Sequence, residues 1–407
     1  MNWPVRPIKT VIKNTQYGLS VPADAHGSIP IVGMKDIQDG HVVVDNDIRV
    51  ALPKEQADAY RLKKGDILLN RTNSPALVGK AGIVRKDIDA VFASYLVRIS
   101  LDDTLADSSF INHYINSEMG QRQMKTLSTR AIGQANINPT VFGRHFFIPL
   151  PSVRVQREIA ALLCSWDCAT EKTEELIARN RERHQWLTLR LLTGQQRLPT
   201  FYKPWRTVRL GEVFTNRVEI GRPDLPLVAI TGENGVVRRD DLSRRDTSTE
   251  DKGKYLRICP GDIGYNTMRM WQGVCGFSRL EGIVSPAYTI ATPTDKVDGE
   301  FMACFFKTPS VIHLFFRHSQ GLVDDTLNLK WHHFSEIEVT IPDRTEQRAL
   351  AAILRDSSRE IDLLRKQSEA LRLQKRGLMQ KLLTGEWRIK IDEPEMAGET
   401  ESNRGDI

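Results

Sequence analysis

The sequence lacks most of the features that assign a chain of 407 residues to a common class of enzyme or membrane protein. Its five cysteines form no Cys-x-x-Cys pair, and Cys164 and Cys168, four positions apart, are interpreted as small apolar residues rather than zinc ligands. No apolar run approaches the ~20 residues that span a membrane, and the first residues contain no apolar signal segment. No glycine-rich loop is followed by Lys-Ser or Lys-Thr, so nucleotide hydrolysis is not expected. We therefore expect a reduced, cytoplasmic protein without a metal site.

The charge of the chain is close to balanced. Lys and Arg number 57 against 51 Asp and Glu, so the net charge is +6 and the pI is about 9.0. This excess is compatible with nucleic-acid binding but does not require it. Residues 391–407 are polar and acidic, a composition typical of a disordered tail that offsets part of the positive charge.

An internal repeat is the most informative feature of the sequence. An offset of 191 residues relates Gln156-Arg157 to Gln347-Arg348, and the segment Leu191–Gly194 to Leu382–Gly385, without insertion or deletion. A looser match upstream relates Trp3 to Trp205 and Gly65-Asp66-Ile67 to Gly261-Asp262-Ile263. Such a repeat decides the architecture. It predicts two halves with an internal pseudo-two-fold relation, each a variable segment followed by a matched one.

The matched segments are predicted to be two long helices, over 154–192 and 345–383. They contain no proline, and apolar residues recur at alternating spacings of three and four, most regularly in the second segment. We therefore expect an antiparallel two-helix coiled coil, each helix a rod of about 58 Å that ends at a left-handed glycine. The alternative is that each helix packs only on its own domain.

The variable segments are predicted to mix α and β structure. Strands are expected at 29–32, 41–44, 66–69 and 91–99, and helices at 110–120 and 301–316. Polar loops between them contain Arg, Asn and Gln, the side chains that recognise guanine and adenine edges, with further Arg for phosphates. The candidate DNA-contacting residues are Arg71, Asn73, Arg130, Gln134, Asn136, Arg269 and Gln272, with Arg244 and Arg245 expected at phosphates.

No catalytic constellation is convincing. Asp224, Glu250 and Lys252 resemble the acidic metal site of a nuclease, but they lie in a hydrophilic stretch without the strand that such a site requires. Two other hypotheses therefore stay open beside DNA recognition: a self-contained sequence-specific nuclease and a structural coiled-coil adaptor.

In this duplicated order, the motifs resemble the specificity subunit of type I restriction-modification systems over residues 1–390. The resemblance implies a non-catalytic subunit with two α/β target recognition domains, each reading half of a split DNA site, separated by conserved helices. It also implies two methyltransferase subunits and motor-nuclease subunits as partners. S-adenosylmethionine, ATP and Mg²⁺ would belong to those partners, with no cofactor on this chain.

The resulting expectation is an α+β protein divided into five segments. Residues 1–150 and 199–341 are the predicted recognition domains. Residues 151–198 and 342–390 are the predicted spacer helices, followed by the tail at 391–407.

Overall fold

The computed structural model describes residues 3–44, 48–74, 77–131, 134–232, 235–242, 252–321, 323 and 326–389. The chain forms two compact units. Unit 1 is drawn from 1–174 and 366–407, and unit 2 from 175–365. The predicted tail at 391–407 lies outside the described residues.

The first part of the chain contains fourteen strands and five helices among its described residues. The strands are β1 (Val5–Pro7), β2 (Ile12–Tyr17), β3 (Ile29–Val32), β4 (Ile37–Gln38), β5 (His41–Val42), β6 (Arg49–Val50), β7 (Ile67–Asn70), β8 (Thr72–Asn73), β9 (Ala81–Ile83), β10 (Val91–Phe92), β11 (Leu96–Leu101), β12 (Thr129–Ala131), β13 (Gln134–Asn136) and β14 (Phe147–Pro149). The helices are α1 (Lys54–Tyr60), α2 (Ser108–Asn116), α3 (Glu118–Leu127), α4 (Pro139–His145) and the long α5 (Val153–Leu192). Short 3-10 turns lie at Ile8–Thr10 and Met34–Asp36.

Unit 1 is built on a six-stranded sheet in the order β2-β11-β7-β9-β5-β4. Smaller sheets, β10-β3-β6, β12-β13-β8 and β1-β14, accompany it. Helix α2 packs on β9 of this sheet, and its Phe110 and Ile111 are fully buried in the largest apolar cluster of this unit, which also contains Ile67 of β7 and Ile99 of β11. The same cluster contains Leu163 of α5 and residues near the end of the second long helix, Leu382 and Leu383. The two separate stretches of unit 1 therefore share one core.

The second part of the chain contains ten strands and five helices among its described residues. The strands are β15 (Arg206–Arg209), β16 (Phe214–Asn216), β17 (Val228–Thr231), β18 (Gly235–Arg238), β19 (Leu256–Ile258), β20 (Ile263–Asn266), β21 (Cys275–Phe277), β22 (Gly282–Val284), β23 (Tyr288–Pro293) and β24 (Glu338–Ile341). The helices are α6 (Leu210–Val213), α7 (Gly299–Phe305), α8 (Pro309–His318), α9 (Trp331–Glu336) and the long α10 (Arg344–Leu382). Short 3-10 turns lie at Arg239–Asp241 and Met270–Gln272.

Unit 2 is built on a four-stranded sheet in the order β16-β23-β20-β21. Two-stranded sheets β15-β24, β17-β18 and β19-β22 accompany it. Its core is rich in phenylalanine: the rings of Phe214, Phe306 and Phe315 all lie within about 6 Å of the ring of Phe334. Helix α9, which carries Phe334, is thereby fixed against the sheet.

The long helices predicted over 154–192 and 345–383 are present as α5 and α10, and each predicted end agrees with the observed end to within one residue. The chain is thus a mixed α+β protein with two long helices. The strands expected at 29–32, 41–44 and 66–69 correspond to β3, β5 and β7. The expected strand at 91–99 is wrong in detail, because a turn at 94–95 interrupts it, between the bridge residue Ala93 and the start of β11.

Both of the shorter predicted helices are interrupted. Ser117 ends α2, and its hydroxyl then accepts a hydrogen bond from the backbone NH of Gly120, so that a new helix begins. In unit 2 the interruption precedes Pro309, which occupies the first turn of α8. In each case the apolar pattern continues across two consecutive helices, so the prediction joined them into one.

The Gln-Arg motif has a structural role in unit 1. Gln156 is fully buried, and its Oε1 accepts a hydrogen bond from the backbone NH of Asp107 at 2.9 Å. Its Nε2 donates to the carbonyl of Pro151 at 2.9 Å. Asp107 is the N-cap of α2, since its carboxylate accepts from the NH of Phe110. Gln156 therefore joins the start of α5 to the start of α2.

The equivalent contacts recur in unit 2. Gln347 is also fully buried, accepts from the NH of Asp298 at 2.8 Å and donates to the carbonyl of Pro342 at 2.8 Å. Asp298 caps α7 by accepting from the NH of Phe301. The same offset of 191 residues relates all of these positions.

The two Gly-Asp-Ile turns also have equivalent contacts, built around a buried aspartate. In unit 1, the carboxylate of Asp66 accepts from the NH of Lys63 at 3.0 Å and from the Ser100 hydroxyl at 3.1 Å, and Arg98 lies 3.5 Å away. The aspartate thus fixes the turn that enters β7.

In unit 2, the equivalent aspartate is more tightly held. Asp262 accepts from the NH of Cys259 at 2.7 Å, from Nε of Arg217 at 2.8 Å and from the Thr292 hydroxyl at 2.7 Å. The bond with Asp262 raises the pKa of Arg217. Three elements therefore meet at one carboxylate, which fixes the entry to β20.

Both long helices end at a glycine in the left-handed conformation, as predicted. The φ angle is 71° at Gly194 and 77° at Gly385, which residues with a Cβ rarely adopt. Each glycine lies under a tryptophan: a Cβ on Gly194 would approach the ring of Trp205 to 3.3 Å, and one on Gly385 would approach Trp3 to 3.0 Å. This contact connects the Thr-Gly ends to the opening tryptophan motifs.

The residues after these glycines differ in sequence but bond alike. The NH of Gln196 donates to the carbonyl of Arg190 at 3.1 Å, and that of Trp387 donates to Lys381 at 3.0 Å. Backbone groups make both bonds, so the change of side chain leaves the helix ends equivalent.

Within unit 1, the first part of α5 lies beside the last part of α10. Asp167 pairs with Lys375, and Glu174 accepts from Arg372 at 2.6 Å. Because contacts further along α5 reach earlier positions of α10, these two segments run antiparallel.

None of the described helices has a stretch long and apolar enough to cross a membrane.

Candidate nucleic-acid interface

Four of the candidate residues of unit 1 lie on one small sheet. In this sheet β13 pairs with both β12 and β8, so that Ala135 lies opposite Arg130 on one side and Asn73 on the other. Asn136 lies opposite Thr72. Residues more than fifty positions apart in the sequence are thereby brought together.

Arg71 immediately precedes β8 and is half-buried. Its guanidinium lies over the ring of Tyr17, 5.0 Å from the centroid, and its Nη1 is 3.4 Å from the carbonyl of Ser94. Tyr17 is half exposed, and no sequence pattern predicted this contact, because Tyr17 lies 54 positions before Arg71. A cation–π contact of this kind fixes the orientation of the arginine.

The amides of unit 1 differ in how far they are engaged within the protein. The side-chain oxygen of Asn136 accepts from the Thr72 hydroxyl at 2.6 Å, and that of Asn73 accepts from the NH of Ser74 at 2.7 Å. Both NH₂ groups remain donors. Gln134 is exposed. The sheet therefore presents amide groups, the set that can bond an adenine edge.

In unit 2, Arg269 and Gln272 lie on one short loop between β20 and β21, and both are exposed. The loop is anchored by Met270, which is fully buried, and it closes through Gly273, whose NH donates to the carbonyl of Met270 at 2.8 Å. The ring of Trp271 lies 6.2 Å from that of Phe316. The buried Met270 lies between the two exposed residues and holds the loop against the core of unit 2. Arg244 and Arg245 lie outside the described residues.

The candidate residues of the two units occupy equivalent places. β7 and β20 both follow a Gly-Asp-Ile turn, and they end at Asn70 and Asn266. Arg71 and Asn73 follow the first strand, and the loop of Arg269 follows the second. The carboxyl end of the same strand therefore carries polar candidates in both units.

The residues of the nuclease hypothesis do not form a described metal site. Both carboxylate oxygens of Asp224 accept from Arg222, at 3.0 and 2.8 Å, and this ion pair lowers the pKa of Asp224. Glu250 lies outside the described residues. Asp224 is thus engaged by a cation of the protein itself.

Comparison with known proteins gives a family match for the first part of the chain. Residues 3–179, which include all five candidates of unit 1, match the type I restriction modification DNA specificity domain. The putative type I restriction enzyme MjaX specificity subunit of Methanocaldococcus jannaschii is 23% identical over 419 aligned residues, covering 96% of this chain and 94% of the relative. Residues 3–179 thus match a DNA specificity domain of this family, and over nearly its whole length the chain is similar to a type I specificity subunit. The StySPI specificity subunit of Salmonella potsdam is 26% identical over 163 residues, covering 39% of this chain and 35% of the relative.

Solved structures show the same fold. The S subunit of a type I restriction-modification system from M. genitalium has a TM-score of 0.59 at 17% identity, over 94% of this chain and 96% of that one. A chain from a type I R-M system, solved in work on complex assembly and conformational transition, has a TM-score of 0.53 at 16% identity, over 95% and 98%. The fold of these specificity subunits is therefore kept although most side chains differ.

Proposed function

We propose that this specificity subunit is a non-catalytic DNA-reading protein in which each recognition domain reads one half of a split site. The observation that carries the proposal is the equivalent placement of Arg, Asn and Gln side chains after β7 in unit 1 and after β20 in unit 2. Two similar reading surfaces in one chain suit a site with two separate halves.

The recognition domains are residues 1–150 and 199–341. The helical segments 151–198 and 342–390 form an antiparallel coiled coil that separates them and receives the partner subunits. Buried glutamines that join each long helix to a recognition domain support this division, because they would hold each reading surface at a fixed place on its helix.

The partners are double-stranded DNA, two methyltransferase subunits and the motor-nuclease subunits. S-adenosylmethionine, ATP and Mg²⁺ would then be bound by those subunits and not by this chain. The engagement of Asp224 by Arg222 favours this assignment over a self-contained nuclease.

Among the reading residues, the exposed Gln134, Arg269 and Gln272 are free to reach base edges in the major groove. Arg130, opposite Ala135 in its sheet, is proposed to read a guanine. The guanidinium of Arg71 contacts Tyr17 and Ser94. We therefore assign Arg71 two roles: it contacts a base, and it binds a phosphate that positions the sheet on the DNA.

The chain alone is expected to bind DNA modestly and with a steep dependence on salt, because contacts to phosphate release counterions. Adding the methyltransferase subunit should increase the preference for the specific site. A mobility-shift series at several salt concentrations, with specific and random duplexes, measures both effects. Methylation or cleavage by the pure chain would contradict the proposal, and binding to neither duplex in the reconstituted complex would favour a structural adaptor.

Arg130→Ala is expected to weaken binding of the reconstituted complex to its site by about 1–3 kcal/mol and to relax preference at one base pair. The matched control is Arg122→Ala, which removes an exposed arginine that pairs with Glu118 one turn earlier on the same helix, α3. Binding competition with singly substituted sites measures the result. An equal loss on every sequence would make Arg130 a phosphate contact instead.

A further inference from the structure

A cluster of buried polar side chains lies between α2 and α5 in unit 1. His113 of α2 is 3% exposed, and its Nε2 lies 3.6 Å from Sγ of Cys164 and 3.9 Å from Oδ2 of Asp167 on α5. These three atoms lie within 4.8 Å of one another. Cys164 and Asp167 are three positions apart, so both point from the same face of the helix.

One oxygen of this cluster has no hydrogen-bond partner. Oδ1 of Asp167 is bonded to Lys375, whereas Oδ2 is buried without a partner among the described residues. Oδ2 faces His113 and also His41, whose Nε2 is 3.6 Å away. A buried carboxylate oxygen without a donor is costly. A ligand that binds the lone pair of Oδ2 would remove the cost of burying this oxygen.

The ligand atoms are in the form that a cation requires, or can reach it. An imidazole ligates a metal through the lone pair of a ring nitrogen, and Nε2 of His113 faces the other two ligand atoms. A thiol that ligates a metal loses its proton, and Cys164 can do so when a cation binds.

A pocket of about 550 Å³ reaches the cluster and gives a ligand access. His113 and Asp167 line it, together with Asp39, Glu171 and Glu174. Those last three carboxylates are paired with arginines, Glu171 with Arg85 and the other two with Arg372. Lys375, which is paired with Asp167, also lines the pocket, so acidic and basic groups both surround the cluster.

The corresponding positions of unit 2 carry different residues, although the equivalent helices also pack together there. At the offset of 191, His113 corresponds to Cys304, Cys164 to Arg355 and Asp167 to Ser358. In unit 2, Arg355 instead pairs with Glu300 at 2.7 Å. The equivalent helices of unit 2, α7 and α10, are therefore joined by an ordinary ion pair. The buried polar cluster of unit 1 is not needed to hold two such helices together, so it is expected to have another role.

We propose that His113, Cys164 and Asp167 bind a divalent transition-metal cation of the zinc class. Tetrahedral zinc, with bonds of about 2.3 Å to sulfur and about 2.05 Å to nitrogen, places those two atoms roughly 3.5 Å apart, close to the 3.6 Å between Cys164 and His113. The 3.9 Å between His113 and Asp167 requires only a small inward movement. A mixed sulfur, nitrogen and oxygen set suits zinc, cobalt or nickel better than magnesium or calcium.

The fourth ligand is water or His41. Nε2 of His41 lies 2.7 Å from Nη2 of Arg85, so it would have to exchange that hydrogen bond for the metal. Arg85 would remain paired with Glu171 at 2.7 Å. The cation would join α2, and with it the sheet it covers, to α5. Its role would be structural, and the proposal holds whether or not the proposed DNA-reading function is correct.

The test uses the full-length chain, treated with a chelator and then titrated with Co²⁺ and Zn²⁺. The expected result is one equivalent of Co²⁺ per chain with a thiolate-to-cobalt absorption band, displaced by Zn²⁺. Cys164→Ser and Asp167→Asn should each weaken binding at least about tenfold, and Cys164→Ser should abolish the band. The matched control is Cys168→Ser, one turn further on the same helix and exposed, which should bind as the natural chain does.

Two results would overturn the proposal. The first is a natural chain that shows no thiolate band at any Co²⁺ concentration, which decides the matter even if the variants fold poorly. The second is retention of full affinity and the same band in Cys164→Ser, with circular dichroism showing an intact fold, since the metal would then lie elsewhere.

Discussion

Asp262→Ala is expected to lower the free energy of unfolding of unit 2 by about 3 kcal/mol, because it leaves the part-buried Arg217, a backbone NH and a hydroxyl without the buried carboxylate that they bond. Asp262 is 1% exposed, and its carboxylate accepts from Arg217, Thr292 and the backbone of Cys259. Alanine would remove all three bonds and leave the guanidinium of Arg217 without its main partner. Urea unfolding of the full-length chain, followed by hydrogen exchange of peptides from 256–293, measures the loss.

The control for this prediction is Asp224→Ala. Asp224 also accepts two bonds from an arginine, but both partners are accessible to water, where an ion pair contributes little. It should therefore leave the unfolding of unit 2 nearly unchanged. Similar losses for the two variants would show that the buried position of Asp262 is not what makes it important.

Exchange of residues 1–150 for the equivalent segment of another type I specificity subunit should change one half of the recognised site completely and leave the other half unchanged. The reason is that the candidate readers of the first recognition domain lie on strands of unit 1 or, for Arg71, immediately before one. Mapping methylated sites in DNA modified by the reconstituted complex measures both halves at once.

The reciprocal exchange of residues 199–341 is the control, and it should change only the other half-site. Since Gln156 and Gln347 lie outside both exchanged segments, each hybrid keeps the side chain that joins recognition domain to helix. A hybrid in which both half-sites change together would contradict two independent recognition domains.

The two long helices could be predicted from sequence because their signals are local. Helix α5 and helix α10 each have a repeating apolar pattern, no proline and a closing Thr-Gly, and each signal acts over a few residues. Interruptions at Ser117 and Pro309 were also signalled locally, by a capping serine and a first-turn proline. They were missed because one apolar pattern continued across each break.

The sequence by itself determined the mixed α and β composition and the bounds of the two long helices. Only the tertiary structure decided which distant residues meet: Arg71 with Tyr17, Asn73 with the strand of Asn136, and His113 with Cys164. Spacing along the chain predicted no ligand set around Cys164, because its neighbours in space come from another helix 51 residues away. Propensity and periodicity report on contacts within a turn or a strand. Contacts between elements depend on how whole faces pack, and that information is spread over the entire sequence.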